Sequence, residues 1–411
     1  MADLPISSGV AKRLSYKAYT DALITPGVTP VPATDPAATG GQVLRRVSSV
    51  INLNKDSFES TEINTYRQVV DVRHGARSVA GTINGELSCA TFQDLMAAVL
   101  RGTWTAGLSK TQADFTSLTG SNSASKFTLG SSDGATLGFR VGDVLRPTVS
   151  AYADSGKNFT ITGFSGADID VYPAPTDLTS TLTATLAIPG RKLSMPDVPT
   201  IPKIAFEHYY EDVDITHLFT ECRIGTMKVT GDEKVSTVEF TLMGRDKVEY
   251  TGASSPFFTA PTAPTSTAVL TTYGGSLLLN GVAIAAITKF DFEVNLSPSS
   301  QKLAFDTYLG EIYTNKAKIT GSIDVMFYDN TTADHFSAED VISLAFMLTD
   351  ADTATANFIN FFFSQVKLTA ANFADGGEQG VPVTYNFQAY RKATATGYDA
   401  TSMTVIDSLS A

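Results

Sequence analysis

Val79-Ala80-Gly81-Thr82-Ile83-Asn84-Gly85-Glu86-Leu87 is the stretch from which the rest of the chain can be read. Val79, Ile83 and Leu87 share one face with two glycines, while Thr82, Asn84, Glu86 and Ser88 share the other. That is the period of a strand buried on one side. Directly behind it, Thr91-Phe92-Gln93-Asp94-Leu95-Met96-Ala97-Ala98-Val99-Leu100 spaces its apolar side chains as a helix does. Thr91 is the expected N-cap, Asp94 lies in the first turn and Gly102 follows the end.

The same order of events returns after residue 270. Ile319-Thr320-Gly321-Ser322-Ile323-Asp324-Val325 lays apolar on apolar, Gly321 on Gly81, Ser322 on Thr82 and Asp324 on Asn84. Upstream, residues 287–296 alternate through Phe290, Phe292, Val294 and Leu296, as residues 47–53 do. Downstream, residues 337–346 are expected to form a second capped amphipathic helix, followed by strands over 357–369 and 382–390. Two copies of a strand, long loop, strand, helix, strand, strand unit are therefore expected. The long loops, residues 54–76 and 297–316, are polar and about twenty residues each. Connections of that length inside a compact unit are usually functional or ordered by a partner, and their presence in both copies favours self-association.

The first copy is interrupted. Between residues 107 and 195 the composition shifts to Ser, Thr, Gly and Asp around short β runs at 126–129, 139–145, 158–162 and 168–172, the spacing of a small antiparallel barrel or sandwich. Proline-rich stretches at 25–36, 195–202 and 252–267 read as an arm, an exit and a linker. The expected division is an N-terminal arm at 1–42, a first unit at 43–106 and 196–251, an inserted small barrel at 107–195, a linker at 252–270 and a second unit at 271–411.

Composition excludes several functions. The 411 residues are 43% hydrophobic and 18% charged, and 42 acidic against 30 basic side chains give a net charge of −12. That is too apolar for a disordered chain, and its charge is opposite to what phosphate binding needs. No apolar run approaches the roughly 18 to 20 residues that span a bilayer, and no signal-peptide core opens the chain, so a soluble protein without membrane insertion is expected. Cys89 and Cys222 are read as buried thiols in a reducing compartment.

Candidate chemistry is sparse. His208, Glu211, Asp214 and His217 have metal-ligand side chains, but in one extended strand they fall on opposite faces. His74 and His335 have no nucleophile setting beside them, and Trp104 reads as a packing anchor. Gly376-Gly377-Glu378-Gln379-Gly380 lies between two strands and lacks the Lys-Ser/Thr of a phosphate loop, so it reads as a hairpin turn. No catalytic residue, metal site or cofactor is expected, and the chain is not expected to be an enzyme.

These residues together resemble the tail tube proteins of bacteriophages with long non-contractile tails. The resemblance rests on Gly9-Val10-Ala11-Lys12 through Thr20 with its proline-rich arm, the strand and helix of 78–100, and Phe206-Glu207-His208-Tyr209-Tyr210-Glu211-Asp212. Its most specific piece is Gly138-Phe139-Arg140-Val141-Gly142-Asp143-Val144-Leu145 in the insert. The resemblance implies a mainly β (α+β) fold with two tandem tail-tube sandwich or barrel units, each with one flanking helix, plus the inserted barrel. It further implies trimeric, pseudo-hexameric rings stacked into a virion tube, made and assembled in the host bacterial cytoplasm. The implied partners are other copies of the chain, the tape-measure protein inside, and tail-tip, baseplate and tail-terminator proteins at the ends; DNA passes without specific binding. Candidate lumen residues are Thr82, Asn84, Glu86, Thr320, Ser322 and Asp324, with a solvent- or helix-facing role as the alternative. Candidate ring-stacking residues are Arg67, Asp71, Arg73, Arg77, Asp306, Glu311 and Lys316. The runner-up reading is a β-domain adhesin or decoration protein for host-surface glycans.

Overall fold

The computed structural model describes residues 7–19, 36–63, 65, 66, 68–181, 183–375, 380–392 and 401–409. Its first set of main strands is β1 (Lys12–Tyr19), β2 (Ser48–Glu59), β3 (Val72–Glu86), β4 (Lys203–Tyr210), β5 (Ile215–Gly231), β6 (Thr237–Gly244) and β7 (Asp246–Thr251), with α1 (Gln93–Leu100) after β3. The second set is β8 (Thr271–Leu279), β9 (Ile287–Asn295), β10 (Lys318–Met326), β11 (Ile342–Thr349), β12 (Phe358–Phe373), β13 (Pro382–Ala389) and β14 (Thr404–Asp407), with α2 (Thr331–Ser337) after β10. In the first set β1 pairs with β4, β2 with β3, β3 with β6, and β5 with β4, β6 and β7. In the second β8 pairs with β11, β9 with β10, β10 with β13, and β12 with β11, β13 and β14. All these ladders are antiparallel, and each pairing of one set has its counterpart in the other.

β5 also pairs with β9, which joins the two sets into one ladder ordered β2-β3-β6-β5-β9-β10-β13-β12. One face of this sheet is buried: Val79 and Ile83, Phe240, Met227 and Val229, Phe292, Ile323 and Tyr385 belong to a single core that also takes in Leu95, Met96 and Val99 of α1. The matched glycines sit where neighbouring backbone comes too close for a side chain. A Cβ on Gly81 would lie 2.5 Å from the Val50 carbonyl oxygen, and one on Gly321 2.3 Å from that of Asp291. Gly81 and Gly321 thus keep the same close ladder in both copies.

Several sequence expectations need correction. Residues 337–346 are not a helix: α2 ends at Ser337, and Ile342 opens β11. β11 is held between β8 and β12, with Leu344 to Leu348 buried without alternation. A strand buried on both faces loses the period of two and can pass for a helix. Thr91 does not cap α1. Phe92 holds that position, and the Thr91 hydroxyl bonds instead with Ser88 and Thr265. Arg101, not Gly102, takes the left-handed conformation at the end of α1, with φ 56°.

The expected long loops contain strands at both of their ends or within them. β2 and β3 continue their ladder out to Glu59 and Val72. Residues 297–316 contain a second hairpin, Ser299–Lys302 paired with Leu309–Tyr313. The polar composition had pointed to loops because these hairpins stand off the core, so that many of their apolar residues stay exposed and do not alternate with polar ones.

The insert contains an eight-stranded antiparallel sheet, running from Leu178–Thr181 at one edge to Ser109–Thr111 at the other. The expected run 139–145 splits into a turn followed by the strand Val144–Val149. That turn docks on the second set. Gly142, with φ +86°, lies against Phe362 so closely that a Cβ would meet the ring at 2.2 Å. The Asn360 side chain donates to the Gly142 carbonyl at 2.8 Å, and Asp143 forms an ion pair with Lys192. Residues 252–270 also pack closely: Phe258 and Leu270 are fully buried, and the Phe258 amide donates to Glu207 Oε1 at 3.0 Å.

Candidate functional site

The eight-stranded ladder has a second face that no described element of the chain covers. Alternation along each strand puts Thr82, Asn84 and Glu86 of β3 on it beside Thr237, Glu239 and Thr241 of β6. It then continues through Lys228 and Thr230 of β5 to Asp291 and Glu293 of β9. Thr320, Ser322 and Asp324 of β10 follow, next to Thr384, Asn386 and Gln388 of β13. The two groups of candidate lumen residues therefore lie on one surface. Around Lys228, Asp291, Glu293, Lys318, Thr320 and Ser322 it forms an open groove of about 460 Å³.

Short polar contacts hold these side chains across strands and, at Glu293, along its own strand. Asn84 donates to Ser48 Oγ at 3.0 Å, Thr384 to Asp324 Oδ1 at 2.6 Å and Asn295 to Glu293 Oε1 at 2.9 Å. The Thr226 and Thr241 hydroxyls are 2.8 Å apart. Glu86, Glu239, Asp291, Glu293 and Asp324 share the face with Lys228, Lys289, Lys318 and Lys367. The charge is mixed with a slight acidic excess, so the face lacks the cationic surplus that condenses phosphates. Sequence reasoning missed the β5, β6, β9 and β13 rows, although the alternation in 236–244 and 287–296 carried the signal.

Among the described ring-stacking candidates, Asp71, Arg73 and Arg77 lie on the β2–β3 hairpin and Asp306 and Glu311 on the second hairpin, and the two hairpins touch. The Arg77 amide donates to the Thr307 carbonyl at 2.9 Å, Lys302 pairs with Asp56 at 2.6 Å, and the Arg77 guanidinium lies 5.5 Å from the Tyr308 ring centroid. Several charged candidates have partners within the chain: Arg73 with Asp71 at 2.7 Å, Arg77 with Asp246 at 3.4 Å, and Glu311 with Arg223 at 2.6 Å. Asp306 accepts from the Tyr308 amide at 3.0 Å, and Lys316 is exposed. Arg67 lies outside the described residues. What the sequence reading overlooked is apolar: Phe58, Ile63, Val69, Val70 and Val72 on the first hairpin, and Leu303, Phe305 and Tyr313 on the second, are all exposed. Contiguous exposed apolar groups of this kind mark contact surfaces.

The histidine segment is a hairpin and not a single strand. β4 ends at Tyr210, β5 starts at Ile215, and His208 lies directly opposite His217. No group of three or more His, Cys, Asp or Glu side chains suited to a metal ion occurs among the described residues. His208 is buried, its Nε2 2.8 Å from Ser49 Oγ, and burial with the nearby Lys12 and Arg46 charges pushes its pKa down to about 2. The folded state thus holds this imidazole neutral, whereas the unfolded chain binds a proton near pH 6.5. Its contribution is complete above pH 6.5 and is lost as pH falls toward 2, with a slope of up to about 1.4 kcal/mol per pH unit. Urea unfolding from pH 7 to 4 should accordingly show a flatter acid limb for His208→Gln than for the wild type; equal limbs would refute this coupling.

Cys89 and Cys222 are buried and free, and burial raises both thiol pKa values. Trp104 packs on the core and donates to the Gln93 carbonyl at 3.0 Å. Of the glycine-rich turn, residues 376–379 lie outside the described residues. No described helix is long and apolar enough to cross a membrane.

With two repeated strand sets, one bare polar sheet face and an apolar hairpin cluster in view, the comparison with family models is decisive. The model described as phage tail tube protein matches residues 9–389. The chain belongs to the phage tail tube protein family. The comparison with curated proteins returned no match. Members of this family are structural components of the virion, and the mainly β architecture, with its antiparallel sheets and few helices, agrees with that role. A tail tube protein works by repeating itself, so its functional surfaces are the ones it offers to further copies.

Proposed function

We propose that three copies of this tail tube protein form a pseudo-hexameric ring, each copy supplying two tube units, and that rings stack into the tail tube of a phage with a long non-contractile tail. The observation that carries this reading is the single ladder β2 to β12, which has a packed core on one face and a predominantly polar second face, with Val50 as its exposed apolar exception on β2. An antiparallel sheet of that kind solvates one side, and closing it with the core outward turns the polar face into the wall of a bore. In this reading the units are residues 43–106 with 196–251 and residues 271–411, with the 107–195 insert belonging to the first, and β1 of the expected arm joins the first unit through its ladder with β4. Tape-measure protein occupies the bore before ejection, tail-tip, baseplate and terminator proteins close its ends, and assembly takes place in the host cytoplasm.

The apolar hairpin tips form the axial contact between rings, with Asp71, Arg73, Asp306 and Lys316 around them. Electron microscopy of the protein with its tail partners tests the reading. Rings of threefold or apparent sixfold symmetry, or hollow tubes, support it; a monomer that never polymerises under those conditions overturns it.

The polar face has its own test. Glu86→Lys with Asp324→Lys shifts the wall by four charges per chain toward the cation surplus that holds phosphates. Tubes should still form and DNA ejection should slow. Unchanged ejection kinetics in assembled variant phage would rule out these faces as the wall.

A further inference from the structure

The two strand sets are joined by a seam inside the chain. β5 meets β9 with Met227 opposite Val294, Lys228 opposite Glu293 and Val229 opposite Phe292. The counterpart of β5 is β12, and the match extends to the irregularity. The β5–β6 ladder shifts register between Ile224 and Thr226, and the β12–β13 ladder shifts between Leu368 and Ala370. Pairing through β6 and β13 makes Met227 equivalent to Ala371, Lys228 to Asn372 and Val229 to Phe373. Pairing through β3 and β10 makes Val294 equivalent to Leu53, Glu293 to Asn52 and Phe292 to Ile51.

Yet the edge of β12 over residues 370–373 and the outer edge of β2 carry no partner strand among the described residues. Side-chain exposure shows the same vacancy. Val229 at the internal seam is fully buried, whereas Phe373 in the equivalent place is 52% exposed. Open edges of this kind are templates for another strand.

We infer that a second copy of the chain adds its β2 to the open β12 edge, antiparallel and in the register of the internal seam. Ala371 then faces the partner's Leu53, Asn372 faces the partner's Asn52, and Phe373 faces the partner's Ile51. The contact buries Phe373 and replaces the Lys228 and Glu293 pair of the internal seam with two amides. Phe373 is held on the core side by its ladder with β13, so a slip of one residue would set the partner's polar-face residues opposite it, and the register is constrained. Lys12 Nζ, 2.7 Å from the Ser49 carbonyl oxygen, marks the end of the available edge. This inference rests on the ring reading above and identifies which edges close the ring.

Oxidative cross-linking of assembled tubes tests it, using Asn52→Cys combined with Asn372→Cys. Both positions are exposed, and the native Cys89 and Cys222 are buried. Directly opposed Cβ atoms lie about 4.5–5.5 Å apart, near disulfide reach, whereas the diagonal neighbours are about 7–8 Å apart. The expected result is covalent oligomers on a non-reducing gel, with at least tenfold less from Asn54→Cys or Val50→Cys combined with Asn372→Cys. If tubes form and a displaced pair links as well or better, the register is wrong. If tubes form and no pair links, the seam lies elsewhere while the tube reading stands. Absence of rings and tubes in the wild type removes the reading and this inference together.

Discussion

Ile63→Asp combined with Phe305→Asp is expected to leave the chain folded and to abolish tube growth. Ile63 and Phe305 are the most exposed large apolar side chains of the two hairpins, so their replacement removes no packing within the chain. Surface changes away from such packing usually stay within about 0.5 kcal/mol. On the proposed stacking the same groups become buried against the next ring, and an unpaired carboxylate there costs several kcal/mol. Each ~1.4 kcal/mol is already tenfold in affinity, and the pair recurs in every copy around a ring. Far-ultraviolet circular dichroism and urea unfolding should match the wild type, while electron microscopy shows isolated rings or monomers. Tubes of normal length from the double variant would remove the hairpins from the axial contact.

Phe292→Ala is expected to produce the largest loss of stability, about 3–5 kcal/mol. Its ring is fully buried, with centroids of Phe361, Phe363 and Phe346 at 5.0, 5.2 and 6.2 Å. It also stands at the internal seam, directly opposite Val229. The substitution therefore opens a cavity where the two halves of the ladder meet and the surrounding rings are already packed on other neighbours. A domain with about 5–15 kcal/mol in total keeps little margin after such a change. Phe373→Ala is the matched control, since its ring is half in solvent and touches Phe327 at a centroid distance of 5.4 Å. It should cost the free chain under about 1 kcal/mol. Equal unfolding midpoints for the two variants would contradict the packing described here.

Residues 79–87 and 319–325 were legible because one face is buried and the other wet, so that every second residue reports its side. β11 was not legible because it is buried on both sides and offers no alternation. The hairpins of 54–76 and 297–316 were hidden for the opposite reason, since outside the core there is little burial to impose a pattern. The seam between β5 and β9 joins residues some sixty positions apart and leaves no local trace in either strand. Two rows of the polar face, on β3 and β10, were found from a repeated motif. Its remaining rows needed the ladder, because alternation tells which residues share a side of one strand but not which strands are neighbours. The charged stacking candidates were chosen for their side-chain type, and the structure gives many of them partners within the chain.

β14 has a consequence in time. It lies between β12 and the short strand Arg191–Ser194, which in turn pairs with Thr105–Ala106 just after α1. The strand at Arg191–Ser194 therefore waits for a partner that leaves the ribosome roughly 210 residues later. At a synthesis rate of about 5–20 residues per second, that delay is on the order of 10–40 s. During that interval the nascent chain has an unfinished sheet beside its first helix. Completion of this sheet, and with it the readiness of the chain to polymerise, waits for β14.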